Sequence, residues 1–282
     1  MRAVIVVVVS LLSSAALAQG DAREAWWWDD AWWSAGSLPA ARTLPVETRS
    51  ASYRSGEVEV PVTITRPKGK GKYPGVLFVH GRRGLDDLVL LHAARLAARG
   101  FVVYAPDLYT GRFISRFPIE HDYALEDDLS AGLDALLELP DIAGRRVCAY
   151  SHTRGGYYTL KLAVAKGRQK DGLACYVSYY PHWQDPNAPE PLQIYSYAPE
   201  IDRLELPVLV FVGDEEQYQR KRVIDSSVEA LRQNGRAVTY VVYPGVGRGF
   251  DFRPPNVRTF ADDLAAKDAI ARAAQFMAEA LR

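Results

Sequence analysis

The sequence predicts an α/β domain built on a mainly parallel, doubly wound sheet with helices on both faces. From Glu57 onward, apolar runs of strand length alternate with amphipathic segments of helix length, and several runs are apolar without interruption. Alternating strands and helices indicate βαβ units, and continuous apolar runs are typical of strands buried on both faces. The 282 residues, 48% of them apolar, are enough for a single large domain with its own core.

Each element follows from local periodicity and from stop signals. Residues 58–67 alternate in polarity as a strand does, whereas residues 74–80 form a continuous apolar strand. A first helix over residues 86–100 is closed by Gly100, and a second over 124–140 ends at Pro140. Further strands are expected at 101–109, 145–150, 173–181, 207–213 and 237–245, and further helices at 155–167, 222–235 and 261–282.

The N-terminus has the pattern of a bacterial secretory signal. Arg2 precedes an apolar run over residues 3–12, and Ala16 and Ala18 form an A-x-A site. The pattern predicts that residues 1–18 are removed before Gln19, because the apolar run is too short for a comfortable membrane span. No later segment is a candidate span, so we expect a periplasmic or secreted protein.

Residues 19–55 read as an irregular, Trp-rich extension that precedes the main domain at 56–282. Five of the six Trp residues fall in "EAWWWDDAWWSAGSLPAART". Trp faces stack on sugars and cations, so one interpretation is an aromatic ligand platform. The favoured interpretation is an extension that packs its large apolar side chains onto the domain.

The two cysteines, Cys148 and Cys175, lie inside strand-like apolar runs. Export makes a disulfide possible. However, Cys148 lies near the end of its run and Cys175 near the start of its own, which puts them out of register if the strands are parallel neighbours. The sequence therefore favours two buried free thiols.

Composition and motifs exclude several functional classes. The 34 Lys and Arg residues equal the 34 Asp and Glu residues, so no basic field attracts nucleic acid. No GxGxxG, Walker-type, HExxH or CxxC pattern is present. We expect neither a cofactor nor a metal, and we treat the run Glu120–Asp122 as chance.

Five stretches at predicted strand ends carry a family resemblance. "YPGVLFVHGRRG", "GFVVYAPDLYTG", "VCAYSHTRGGYY", "LVFVGDEEQ" and "YPGVGRGFDFRP" together resemble the dienelactone hydrolase family, which has the α/β-hydrolase fold. The resemblance runs from Glu57 to the C-terminus. It implies hydrolysis of a small-molecule ester or lactone through an acyl-enzyme, with nucleophile, acid and His in that chain order.

The resemblance places Thr153 at the nucleophile position. The family pattern is Gly-x-Cys/Ser-x-Gly-Gly, and aligning its Gly pair on Gly155 and Gly156 leaves Ser151 at the first Gly. A β-branched residue tolerates the strained backbone of such an elbow poorly. An alignment slipped by two residues makes Ser151 the nucleophile, and this alternative stays open.

The acid and base positions are also altered. Glu216 falls on the acid position, with Asp214 as the alternative, although a solvated acidic loop would look the same. Arg248 stands where the family has its catalytic His. Arg has no acceptor lone pair, so it cannot take a proton from a hydroxyl.

The remaining histidines and the nearby arginines complete the candidate site. His80 and His182 end strands on the correct face and are the candidates to replace the missing base, whereas His152 is expected to point away. The resemblance implies an oxyanion hole from the backbone N–H groups of Arg82 and Arg154. The side chains of four arginines are expected to converge on the cleft, some of them paired with carboxylates: Arg82, Arg83, Arg154 and Arg248.

Two hypotheses of function follow. The first is a surviving hydrolase of the ester or lactone class with altered machinery. The second is a non-catalytic relative that binds an anionic small molecule or a partner protein in the arginine-lined pocket. The missing proton acceptor favours the second. A Trp-mediated glycan or cell-envelope binder is a weaker third.

Overall fold

An eight-stranded sheet in the order β1-β2-β4-β3-β5-β6-β7-β8 is the centre of the computed structural model, which describes residues 43–282. β2 is antiparallel to both of its neighbours, and all the other strand pairs are parallel. The predicted mainly parallel α/β sheet is therefore confirmed. The strands are β1 (Val46–Ser55), β2 (Val58–Pro67), β3 (Tyr73–Val79), β4 (Val102–Pro106), β5 (Ile142–His152), β6 (Leu173–Tyr179), β7 (Val208–Gly213) and β8 (Val238–Tyr243).

Helices cover both faces of the sheet, as the doubly wound prediction requires. α1 and α6 pack on one face, while α2, α3 and α5 pack on the other. They are α1 (Asp87–Ala97), α2 (Ala124–Leu137), α3 (Gly155–Leu160), α4 (Glu190–Tyr195), α5 (Tyr218–Gln233) and α6 (Phe260–Ala280), with a π turn at Lys161–Ala165 and 3₁₀ turns at Thr110–Arg112, Ile201–Arg203 and Phe250–Phe252. Over the described part of the chain, no helix combines the length and apolar character needed to cross a membrane.

Capping residues explain where the two helices of the first face begin. The Asp86 carboxylate accepts the N–H groups of Leu88 and Val89 at 3.1 and 3.0 Å, so α1 starts immediately after it. Thr259 and Asp262 form a reciprocal capping box at the start of α6. On the sheet itself, every residue of β6 and β7 is buried, which is why these strands are almost continuously apolar.

The expectation that residues 19–55 are irregular is wrong for their last part. Val46–Ser55 form β1, which pairs with β2 along its whole length through a turn at Gly56. Only Tyr53 of this strand is buried. An edge strand that is mostly exposed carries polar residues and no apolar run, so the sequence pattern did not reveal it. The predicted signal peptide and the Trp-rich segment lie outside the described residues.

The expectation of two free thiols is also wrong, because Cys148 and Cys175 form a disulfide. The ladder between β5 and β6 shifts register after Val147, so that Val147 pairs with Leu173 while Cys148 pairs directly with Cys175. The two Cα atoms are 4.7 Å apart, within the range that a disulfide spans. One irregularity of the ladder thus brings together two residues that regular pairing would keep apart.

We predict that the disulfide contributes measurably to stability. The cysteines are separated by 27 residues, and the loss of chain entropy in the unfolded state then stabilises the fold by about 3–4 kcal/mol. Urea unfolding of oxidised protein, compared with protein refolded in reductant, should show this difference. The Cys148→Ala/Cys175→Ala variant should be insensitive to reductant. Two titratable thiols in unfolded, unreduced protein would contradict the prediction.

Candidate active site

A cavity of about 460 Å³ opens at the carboxyl edge of the sheet. This is where ligands bind in open α/β sheets. Loops that follow β3, β5, β6, β7 and β8 all contribute to its wall, and five of the predicted site residues meet there: His80, Arg82, Thr153, His182 and Arg248. Phe117, His152, Arg220 and Phe252 also line the cavity.

Thr153 lies at the apex of a sharp turn between β5 and α3. Its φ is +48°, a left-handed conformation that is costly for a β-branched residue. The turn is tight because Gly155 approaches β3 closely: a Cβ there would lie 2.5 Å from the carbonyl oxygen of Val79. The chain therefore keeps the geometry of a nucleophile elbow and presents the Thr153 hydroxyl at its apex.

Ser151, the alternative nucleophile, does not lie at the apex. It is fully buried within β5, and its hydroxyl is 2.8 Å from the hydroxyl of Ser178 on β6. The turn that would bring Ser151 to the cavity does not form, because the β5 ladder continues through His152. The slipped alignment is wrong.

Of the two acidic candidates, only Glu216 belongs to the site. Its buried carboxylate accepts hydrogen bonds from Nε of Arg248 at 3.1 and 3.2 Å. Asp214 is exposed, and its carboxylate accepts the N–H of Gly245 at 2.8 Å in the turn after β8. Asp214 therefore stabilises a loop, and it is wrong as the alternative acid.

Arg248 also donates a hydrogen bond to Nε2 of His182. A guanidinium has no acceptor, so Nε2 must be the acceptor and the ring proton must lie on Nδ1. Burial lowers the pKa of His182 well below its ordinary value, and the charges of Arg248 and Arg220 lower it further. His182 is thus a neutral imidazole whose one basic nitrogen is already occupied.

His80 has a structural role. Its Nδ1 lies 2.8 Å from the carbonyl oxygen of Gly81, and its Nε2 accepts the N–H of Leu108 at 3.1 Å, so both ring nitrogens are used within the loops. Within residues 43–282, no hydrogen bond joins the Thr153 hydroxyl to any histidine. The two substitutes considered for the missing base are both engaged elsewhere.

A buried hydrogen-bond network beneath the elbow was not predicted. One carboxylate oxygen of Asp251 accepts from Nε2 of His152 at 2.9 Å and lies 3.2 Å from Nδ1 of His92, and the other accepts from the hydroxyl of Tyr180. Burial acts to raise the pKa of Asp251, but the two histidines and the tyrosine hydroxyl hold it below its ordinary value.

His152 therefore differs in part from expectation. It contributes to the cavity wall, yet it is only 2% exposed and is tied to Asp251. Its Nδ1 is buried and has no hydrogen-bond partner among the described residues. The single clue in the sequence is that Asp251 follows Arg248 by three residues in the loop that carries the base position.

The same three side chains have the composition of a metal site. One donor atom each from His92, His152 and Asp251 lies within 4.8 Å of the others. The contact of 2.9 Å is a hydrogen bond, the contact of 3.2 Å is an ion-pair distance, and Nε2 of His92 lies 2.6 Å from the hydroxyl of Tyr150. Each of the three side chains therefore already has a partner within the protein.

Of the four arginines expected at the cleft, Arg82, Arg83 and Arg248 line the cavity, whereas Arg154 does not. Arg82 donates to the carbonyl oxygens of Phe117 and Pro118, both at 2.7 Å. Arg154 donates to three carbonyl oxygens of the same loop at 2.7–3.0 Å, and Arg83 pairs with Asp86. Sequence patterns do not show backbone carbonyls as partners, which is why carboxylates were expected. The backbone N–H groups of Arg82 and Arg154 donate to no other described residue.

Arg220, which the sequence analysis missed, is a further arginine in the cavity wall. It forms no ion pair or hydrogen bond within the described residues. Burial lowers its pKa to about 10, and the charges of Arg248 and Arg154 act in the same direction. The predicted helix began at residue 222, so Arg220 was read as part of a loop rather than of α5.

Comparisons with known proteins agree with this geometry. The model of the dienelactone hydrolase family matches residues 60–281. A Methylorubrum extorquens protein named as a carboxymethylenebutenolidase is 25% identical over 240 residues, covering 77% of this chain and 79% of that protein. A dienelactone hydrolase structure from Klebsiella pneumoniae has a TM-score of 0.65 at 22% identity (83% and 99% of the two chains). A dienelactone hydrolase structure from Anabaena variabilis has a TM-score of 0.62 at 19% identity, and the match covers 84% of this chain and 99% of that chain.

We predict that stability falls below pH 6.5 because of His92. Burial lowers its pKa from 6.5 to about 3 in the folded protein. Between these values the unfolded chain takes up a proton that the folded chain does not, so stability is lost as the pH falls through this window. One such histidine lowers the free energy of unfolding by up to about 1.4 kcal/mol for each pH unit in this window.

Urea unfolding at pH 7.5, 6.0, 5.0 and 4.5 measures this slope. The His92→Gln variant keeps a polar side chain that does not titrate. Its free energy of unfolding should therefore change less steeply with pH, by up to the contribution of one proton. Identical slopes for the two proteins would show that His92 protonates normally in the folded state.

Proposed function

The chain belongs to the dienelactone hydrolase family, and we propose that it is an exported member in which ester hydrolysis is weak or lost and whose cleft binds an anionic small molecule. One observation carries the proposal. Arg248 occupies the base position and donates both to Glu216 at the acid position and to Nε2 of His182. The site therefore holds a fixed positive charge where acyl transfer needs a proton acceptor.

The chemistry of attack explains why hydrolysis would fail. The Thr153 hydroxyl must lose a proton to attack a carbonyl, and the same group that takes the proton must return it to the leaving group. Arg248 can do neither, and the basic nitrogen of His182 is occupied. Removing the base of a Ser hydrolase lowers kcat on the order of 10⁶-fold.

The same features favour an anion. Arg220 lacks an ion-pair partner among the described residues, so its positive charge is not balanced by the neighbouring Arg248–Glu216 pair. The free backbone N–H groups of Arg82 and Arg154 add two uncharged donors beside the elbow. A carboxylate or phosphate would satisfy guanidinium and amide donors together.

Export is proposed from the N-terminal signal pattern, and the disulfide supports it. A disulfide between buried strands is typical of proteins that fold in an oxidising compartment. The proposal places the mature chain, beginning at Gln19, in the periplasm or the medium. Recovery of the chain from the cytosol with residues 1–18 attached would contradict it.

A surviving hydrolase is a second candidate because of His152. Its Nε2 is held by Asp251, its Nδ1 is unpaired, and it directly precedes Thr153 in the chain. These are the components of a relocated acid–base pair. This candidate requires the Nδ1 atom to reach the Thr153 hydroxyl, for which no hydrogen bond is formed among the described residues.

We predict that the mature protein neither reacts with a fluorophosphonate probe nor turns over p-nitrophenyl acetate. The Thr153→Ser/Arg248→His variant should gain turnover of about 100-fold or more over the wild type, since it supplies a nucleophile without a β-branch and a base beside Glu216. The Thr153→Ser/Arg83→His variant is the matched control, because it places the same imidazole at the cavity rim.

Labelling of the wild type that disappears in Thr153→Ala would overturn the loss of hydrolysis. If His152→Gln then also abolishes the labelling, the second candidate is correct.

A further inference from the structure

Two guanidinium groups in the cavity wall have unused donors. Nη2 of Arg248 is buried and has no hydrogen-bond partner. Arg220 has no partner within residues 43–282, and neither does it pair with Glu190, which lines a neighbouring cavity that it shares. Buried polar groups are nearly always satisfied, so unpaired donors on two adjacent cations point to an anion that binds between them.

The loop beside these cations carries exposed apolar side chains. Phe113, Phe117 and Ile119 are 96%, 61% and 83% exposed, and Phe117 also forms part of the cavity wall. Phe252 and Pro254 lie in the same wall. The apolar surface is therefore continuous with the cationic cavity.

The backbone of this loop is strained at two of these side chains. Phe113 and Phe117 have φ values of +56° and +61°, a conformation that glycine or asparagine would adopt at lower cost. Neither phenylalanine gains burial in return. Strain of this kind at an exposed side chain indicates a contact outside the chain.

The loop is nevertheless held in place. Five hydrogen bonds run from the guanidinium groups of Arg82 and Arg154 to the four consecutive carbonyl oxygens of residues 117–120. Arg82 and Arg154 are also the residues whose backbone N–H groups flank the elbow. The same two residues therefore fix the apolar loop and supply the backbone donors beside the cationic cavity.

We infer that the anion bound in this cleft is an amphiphile, a carboxylate whose head group lies between Arg220 and Arg248 and whose apolar chain lies against Phe117. The inference rests on the proposed anion-binding function and adds the class of ligand. A carboxylate fits because its two oxygens match both a guanidinium and the N–H groups of the elbow. The chain removes the exposed phenylalanine surface from water.

Isothermal titration of the mature protein with octanoate, acetate and 1-octanol tests the inference. Octanoate should bind at least about tenfold more tightly than acetate, because each methylene group that leaves water tightens binding by about fourfold. 1-Octanol, which has the chain without the charge, should bind more weakly than octanoate.

Two variants separate the contribution of the ligand's carboxylate head group from that of its apolar chain. Arg220→Gln should abolish binding of both octanoate and acetate, and the exposed Arg222→Gln on the same helix is its matched control. Phe117→Asn keeps a residue that tolerates positive φ, so the loop should remain folded. This variant should bind octanoate about tenfold more weakly than the wild type and should bind acetate with unchanged affinity.

The outcomes distinguish the two claims. Equal affinity for octanoate and acetate, or octanoate binding that survives Phe117→Asn, would overturn the amphiphile and leave the anion site intact. Binding of 1-octanol alone, or of none of the three, would overturn the anion site as well. Octanoate binding that survives Arg220→Gln would also overturn the placement of the head group.

Discussion

The interaction on which this site depends is the pair of hydrogen bonds that Arg248 donates to Glu216 and to His182. The loop after β8 normally delivers a basic lone pair to an α/β-hydrolase elbow; here it delivers a permanent charge. That charge neutralises the acid, occupies the only basic nitrogen of His182 and favours an anion in the cavity. In the function that we propose, a single guanidinium removes one requirement for acyl transfer and supplies one requirement for anion binding.

The scaffold around this interaction retains hydrolase geometry. Thr153 keeps the positive φ of an elbow, and the backbone donors beside it remain free. Beneath it, Asp251 ties together His92, His152 and Tyr180 in a buried network. This network gives the loop after β8 a second anchor that does not depend on Arg248. The proposed loss of the catalytic base is compatible with retention of the cleft because different residues of one loop, Arg248 and Asp251, serve the two purposes.

The sequence predicted the site residues that lie in the loops immediately after strands. Thr153 and Arg248 line one cavity, and Glu216 pairs with Arg248, because parallel strands end at one edge of the sheet, a constraint that periodicity reveals. Prediction from the sequence failed where the structure depends on contacts that have no local pattern along the chain. A polar edge strand, β1, has no apolar signature, and one ladder irregularity after Val147 decides the disulfide. The carbonyl partners of Arg82 and Arg154 and the network around Asp251 arise from long-range packing, for which spacing along the chain carries no signal.

The ionisation of His182, measured by ¹⁵N chemical shifts of its ring between pH 5 and 8, tests directly whether Arg248 leaves the site without a base. The ring should be neutral throughout, with the proton on Nδ1 and Nε2 as an acceptor, because burial and Arg248 lower the pKa of His182. The shifts should move toward ordinary titration in Arg248→Met. A wild-type His182 that titrates near its usual value of about 6.5, or that carries its proton on Nε2, would contradict the central claim, since its ring would then be free to act as a base.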